Sequence, residues 1–289
     1  MIIDCHYHLE TRMQTVENLI KKMDSSGIDK TALMATMWDT PPETPEFILK
    51  ILRFLLYHRF ARPLAKKLAA NFSLEGDIVL PKETVKIYPD PDNNSIADVI
   101  AKYPDRFLGW IFVNPEGRND PEKEFDKWKN RPGFIGVKAH PFWHRFEPKK
   151  LMPVAEKAAE AGMPLLIHVG FDAHGEFMPL VEEIPNLKLI LAHAGFPAFS
   201  DTWRIIQNTK NIYVDLSADA YVNGKVTRQV VEKLGADRCL FGTDGPYGHH
   251  ADDDLFNNAY IKNRIVSLFP DKKIQRQLLG DNFRNLIGM

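Results

Sequence analysis

The strongest constraint on how this chain folds is a series of eight short apolar runs, several of them closed by a residue that can do chemistry. The runs are Met1–Cys5, Thr31–Thr36, Phe107–Phe112, Phe134–Ala139, Pro164–His168, Lys188–Ala192, Ile212–Val214 and Arg238–Phe241. Rich in Val, Ile, Leu and Phe, they read as strands of a sheet covered on both faces. Helical patterns fill most of the gaps, as at Lys149–Ala161, Phe177–Ile184 and Lys225–Leu234, with Gly162 and Gly235 standing where helices should stop. A parallel α/β sheet follows, either open or closed. No G-x-G-x-x-G follows the first or second run, which removes the commonest reason for the open dinucleotide-binding form.

The polar residues decide between the two. His6 and His8 follow the first run, Lys138 and His140 stand at the end of the fourth, and His168 ends the fifth. His193 follows the sixth and Asp244 the eighth. An open sheet would leave these ends far apart. Closure sets strand eight beside strand one and turns every end toward one axis. We therefore expect a (β/α)8 TIM barrel, one domain over residues 1–289.

Residues 38–94, between strands two and three, are too long for an ordinary connection. Glu46–Asn71 is helical by pattern, with Lys50, Arg53, Arg59, Arg62, Lys66 and Lys67 among apolar residues and an interruption at Pro63; the rest, with Pro81, Pro89 and Pro91, reads as loop. The insertion is expected to cover the barrel mouth or to form the subunit contact of a homo-oligomer. An amphipathic helix lying on a membrane is the alternative.

Lys plus Arg number 37 against 38 Asp plus Glu, a net charge of −1, so no excess of cations is present for nucleic acid. No apolar run reaches the length of a membrane span. Met1-Ile2-Ile3-Asp4 begins as a strand and not as a signal peptide, and Cys5 and Cys239 both fall inside strands, as buried reduced thiols would. These features fit a cytoplasmic enzyme acting on a small molecule.

Asp4-Cys5-His6-Tyr7-His8 is the sharpest motif. Alternate side chains of a strand share a face, so His6 and His8 project together and can hold one divalent cation. His168 and His193 close neighbouring apolar runs, where an imidazole has little packing value, and both are candidate ligands. Asp244, in Phe241-Gly242-Thr243-Asp244-Gly245-Pro246, offers a metal-facing carboxylate beside the H-x-H strand. Every histidine except His58 falls at a strand end or in the loop after it, so His140, His144, His249 and His250 are candidates for the pocket, with Trp38, Trp143 and Tyr247 as its walls.

The order His6-x-His8, Lys138, His168, His193, Asp244 resembles the ligand series of the amidohydrolase superfamily. Leu191-Ala192-His193-Ala194-Gly195, the Asp244 phrase and Gly280-Asp281-Asn282-Phe283-Arg284-Asn285-Leu286 resemble its amidohydrolase-related branch of hydrolases and decarboxylases. The resemblance spans the chain except the insertion. It implies one divalent metal, with zinc suited to the donors, on His6, His8, His168 and Asp244, and a catalytic pair of Asp244 and His193. Lys138, His140 and Tyr247 would then contact substrate. Two metals bridged by a carbamylated Lys138 are the alternative. The implied reaction is hydrolysis of an amide, ester or lactone by water activated on the metal, with Asp244 as proton acceptor. The alternative is non-oxidative decarboxylation of a hydroxy- or amino-carboxylic acid, with Lys138 or Arg145 as cation for the carboxylate. A metal-binding protein without catalysis is a third reading.

Overall fold

The structure, a computed structural model, describes residues 1–39, 46–69, 71–73, 75–79, 84–247 and 259–289. Its strands are β1 (Ile3–Leu9), β2 (Lys30–Ala35), β3 (Ile78–Val79), β4 (Thr84–Val85), β5 (Phe107–Phe112), β6 (Phe134–Ala139), β7 (Leu165–Ile167), β8 (Leu189–Leu191), β9 (Ile212–Asp215) and β10 (Cys239–Leu240). The helices are α1 (Val16–Ser26), α2 (Glu46–Tyr57), α3 (Arg62–Ala69), α4 (Asn93–Lys102), α5 (Pro121–Trp128), α6 (Met152–Glu160), α7 (Met178–Glu183), α8 (Ser200–Ile206), α9 (Gly224–Leu234), α10 (Ala259–Leu268), α11 (Lys272–Arg276) and α12 (Asn282–Ile287). Side-chain caps start several of these. Thr15, Asp92, Asp120 and Asn223 each accept from an amide of the first turn that would otherwise lack a partner.

Eight strands form one sheet in the order β1-β2-β5-β6-β7-β8-β9-β10, every laddered pair parallel. Three backbone hydrogen bonds close it between the β10 end and β1: Cys5 N donates to Phe241 O (3.0 Å), Asp244 N to His6 O (2.8 Å) and His8 N to Gly245 O (2.7 Å). A Cβ on Gly245 would stand 2.2 Å from the Tyr7 ring, so this close approach requires glycine. The TIM barrel expected from the strand ends is present.

Several local readings differ from the structure. β1 runs on to Leu9, so His6 and His8 lie within the strand; its register slips between Asp4 and Tyr7, and the Trp110 indole donates to Cys5 O (2.9 Å). β10 stops at Leu240 because the Phe241 amide turns to Leu278 O (2.9 Å). The insertion helix is two helices, with Pro63 in the first turn of α3, where its missing N–H breaks no helical bond. The hairpin β3–β4 lies in the half read as loop.

The insertion rests on the carboxyl-end side of the barrel. Arg53 donates to Ala220 O (2.8 Å) and Asp219 O (3.2 Å), Tyr57 to Gln229 Oε1 (2.8 Å) and Arg62 to Asp201 Oδ2 (2.8 Å), while Lys66 pairs with Asp172. Asp172, Asp201 and Asp219 follow β7, β8 and β9 respectively. At the opposite end, Asn282 Nδ2 donates to Cys239 O (2.9 Å) and Phe283 packs near Trp110, so the C-terminal motif holds the barrel floor and not its mouth. Cys5 and Cys239 are buried and unpaired. No helix among the described residues is long and apolar enough to cross a membrane.

Candidate metal centre

The end of β1 and the turn after β10 build the centre together. The Nε2 atoms of His6 and His8 lie 3.2 and 3.4 Å from the same oxygen of Asp244, Oδ1. The other oxygen, Oδ2, faces His193 Nε2 at 3.9 Å. Asp244 has φ 61°, a left-handed conformation that costs a non-glycine residue about 1–3 kcal/mol and persists only when its surroundings fix it. Here Asp4 does the fixing: its carboxylate accepts from Thr243 N (3.0 Å) and Thr243 Oγ1 (2.5 Å), and from His6 N (3.1 Å). Burial pushes the Asp4 carboxyl up to about 7.

Asp215, at the end of β9, is a site residue that the sequence reading missed. Its Oδ2 lies 2.9 Å from His6 Nδ1, and its Oδ1 accepts from His193 N (3.0 Å), Ser217 N (3.1 Å) and the Ser217 hydroxyl. Ser217 Oγ in turn lies 2.8 Å from His193 Nδ1. With the hydroxyl proton committed to Asp215, Ser217 accepts from His193 Nδ1–H. Both His6 and His193 then carry their proton on Nδ1 and present an Nε2 lone pair toward Asp244. The signal was available. Asp215 closes an apolar run as His168 does, but the expected strand ended one residue early.

Two groups of potential ligand atoms therefore lie within 4.8 Å of one another: His6, His8 and Asp244, and His6, His193 and Asp215. His168 belongs to neither group. Its Nδ1 donates to Val169 O (3.1 Å), and its ring centre stands 4.7 Å from that of His193 and 4.1 Å from that of His140. Three of the four expected ligands converge, and the fourth stands beside His193.

Burial pushes all of these imidazoles down, those of His8 and His168 to about 3, and that of His193 also falls. Neutral imidazoles are what a metal needs. Lys138, wholly buried on β6, has no hydrogen-bond partner at Nζ among the described residues; burial lowers it to about 8 against the pull of Asp215 and Asp244. The donor set of neutral imidazole nitrogens and a carboxylate fits a divalent metal of borderline softness, and the orphaned amine fits an anionic ligand or a carbamate.

Around this centre, His140 stacks between His168 and Trp143 (ring centres 4.1 and 4.7 Å) and accepts from Trp143 N (3.1 Å). Tyr247 stands 5.2 Å from His8, ring to ring, with its hydroxyl 2.9 Å from Thr36 Oγ1. Trp38 packs on Trp143 and Tyr247 to complete one wall. His144 is turned away, donating to Tyr88 O (3.1 Å). Arg145 is exposed, its guanidinium 5.4 Å from the Phe72 ring centre, so of the two expected cations only Lys138 is at the centre. His249 and His250 lie outside the described residues.

A model of the amidohydrolase family matches residues 3–288. No curated protein matches the chain. Among solved structures, a 2,6-dihydroxybenzoate decarboxylase from Rhizobium is 17% identical, with 99% of this chain and 98% of that one covered at a TM-score of 0.62. A probable 2-pyrone-4,6-dicarboxylic acid hydrolase from Acinetobacter baumannii, with citric acid bound, is 14% identical, covering 100% and 99% at 0.64. A dihydroxybenzoic acid decarboxylase from Polaromonas sp., with manganese and the inhibitor 2-nitroresorcinol, is 17% identical, covering 99% and 96% at 0.63. At these identities the likeness is one of fold.

Proposed function

Because the chain belongs to the amidohydrolase family, whose members include both hydrolases and decarboxylases, we propose that it is a metal-dependent hydrolase of an amide, ester or lactone. The observation that carries this reading is the division of labour across Asp244, one oxygen toward the His6–His8 pair and the other toward His193. His6, His8 and Asp244 would hold the ion, with His168 as the further donor and zinc as the metal best suited to the set; the manganese of the Polaromonas structure is the competing choice. A bound divalent ion would supply a water of near-neutral pKa and polarise the scissile carbonyl.

The chain's own groups do the rest. Asp244 Oδ2 and His193 Nε2 are two acceptors 3.9 Å apart, within reach of the two O–H groups of one water. Asp244 takes the proton as the water attacks and returns it to the leaving group. His193, held by Ser217 and Asp215, keeps the water's second O–H oriented. Lys138, His140 and Tyr247 would contact the substrate, Lys138 through its unpartnered ammonium.

That same ammonium favours a second reading, decarboxylation, since a buried unpaired cation suits a substrate carboxylate. Metal-loaded protein should be screened against lactones, esters and amides, and against aromatic hydroxy-acids with detection of CO2. Turnover of the first panel is expected. CO2 release without turnover of the first panel replaces hydrolysis with decarboxylation.

A further inference from the structure

A groove of about 370 Å³ lies between α2 and the start of α9, outside the residues assigned above. Its lining brings together three cations, Lys50, Arg53 and Lys225, and the rings of Phe54, Tyr57 and Tyr221, with no acidic side chain among the described residues that line it. Arg53 is engaged with the Asp219–Ala220 carbonyls, and Lys225 lies over the Tyr57 ring at 4.6 Å. Neither Lys50 nor Lys225 has an ion-pair partner among the described residues.

The position of Lys225 is informative. It stands in the first turn of α9, where the helix dipole favours acids; that turn has no acid, and its cap is supplied by Asn223, which also lines the groove. A cation placed at the positive end of a helix, in a groove shared with a second lysine that has no ion-pair partner among the described residues, is a local arrangement that an anion would relieve. The ring surfaces beside it favour an apolar body on that anion. The groove also adjoins the metal centre. Tyr221, part of its lining, stands 6.0 Å from the His193 ring and 4.7 Å from the Phe196 ring, centre to centre.

We propose that this groove is a subsite for an amphipathic organic anion, its carboxylate between Lys50 and Lys225 and its apolar body on Phe54, Tyr57 and Tyr221. Tyr221 borders both this groove and His193, and no other described residue of the lining belongs to the metal centre; the subsite does not rest on the hydrolase reading.

The test is calorimetric titration of the metal-loaded protein with 1-naphthoate and with its neutral counterpart 1-naphthamide, in wild type, in a Lys50→Gln/Lys225→Gln double variant and in His8→Ala. Naphthoate is expected to bind the double variant at least 10-fold more weakly than wild type, and wild-type binding should weaken as salt is raised. Naphthamide binding should be the same in both. Equal naphthoate affinity in wild type and the double variant would overturn the subsite. So would binding that survives loss of both lysines and disappears in His8→Ala, since the anion would then sit at the metal centre. No turnover is read, so failure of the hydrolase reading is seen separately, in the substrate screen.

Discussion

Asp215 divides its two oxygens between two histidines: Oδ2 fixes His6, and Oδ1, through Ser217 and the His193 amide, fixes His193. Removing the charge should therefore loosen the metal as well as the chemistry. Asp215→Asn is expected to weaken metal affinity by roughly 10- to 100-fold, the usual effect of losing the partner of a metal-ligating histidine; unchanged affinity in a competition titration would show that His6 needs no such partner. His193→Ala should behave differently, keeping most of its metal while turnover falls by roughly 10²–10⁴-fold. Asp244→Asn keeps one oxygen donor but loses charge and basicity, so both metal content and turnover should drop. Metal and rate must be measured on the same preparations. Loss of a second equivalent of metal in His193→Ala, from a wild type holding two, would replace the mononuclear site by one bridged through carbamylated Lys138.

At the scale of elements, the sequence was most informative where side chains alone decide. The eight strands are legible because each is an apolar run, and the barrel because histidines and Asp244 collect at their ends. Strand limits were less legible, since they depend on partners far away in sequence: Phe241 leaves β10 for Leu278, and β1 continues because Asp244 and Gly245 pair with it. The same dependence hid Asp215, and it left His168 beside His140 instead of among the converging ligands. Gly245 tests how tightly this closure is built. Gly245→Ala pushes a methyl into Tyr7, and overpacking of this kind costs about 1–3 kcal/mol. The shift should appear in the urea midpoint, and metal affinity should fall with it because the turn carries Asp244. A variant as stable as wild type would mean that Tyr7 moves aside freely.

For the whole molecule, gathering so many histidines inside one barrel makes stability depend on pH. Among the described residues, His6, His8, His140, His144, His168 and His193 are buried, and burial pushes every one of them down, to about 3 for His8 and His168 and about 4 for His144. An unfolded chain takes up a proton at each as pH falls through about 6.5, whereas the folded chain does not until far lower. These groups therefore stabilise the fold above about 6.5 and lose that contribution on acidification. Asp4 acts in the opposite sense. Raised to about 7, its carboxyl is protonated first in the folded state, so it adds stability as pH drops from 7 toward the ordinary carboxylate range; Asp244, also raised by burial, acts likewise. Six histidines against two carboxyls leave the unfolded state binding more protons between about pH 6 and 4. A domain with about 5–15 kcal/mol of stability cannot absorb that imbalance across two pH units without large loss. The chelator-treated protein is accordingly expected to lose several kcal/mol of urea-unfolding free energy between pH 7 and 5. Metal should steepen the dependence, because protons compete with it for the same nitrogens. His144 lies off the metal centre, with its ring turned to Tyr88, so His144→Gln isolates one of the six without touching a ligand. It should lower the slope of stability against pH by about one proton, or about 1.4 kcal/mol per pH unit at full difference. A chelated protein whose unfolding free energy is flat from pH 7 to 5 would mean that these imidazoles already exchange protons with solvent in the folded barrel.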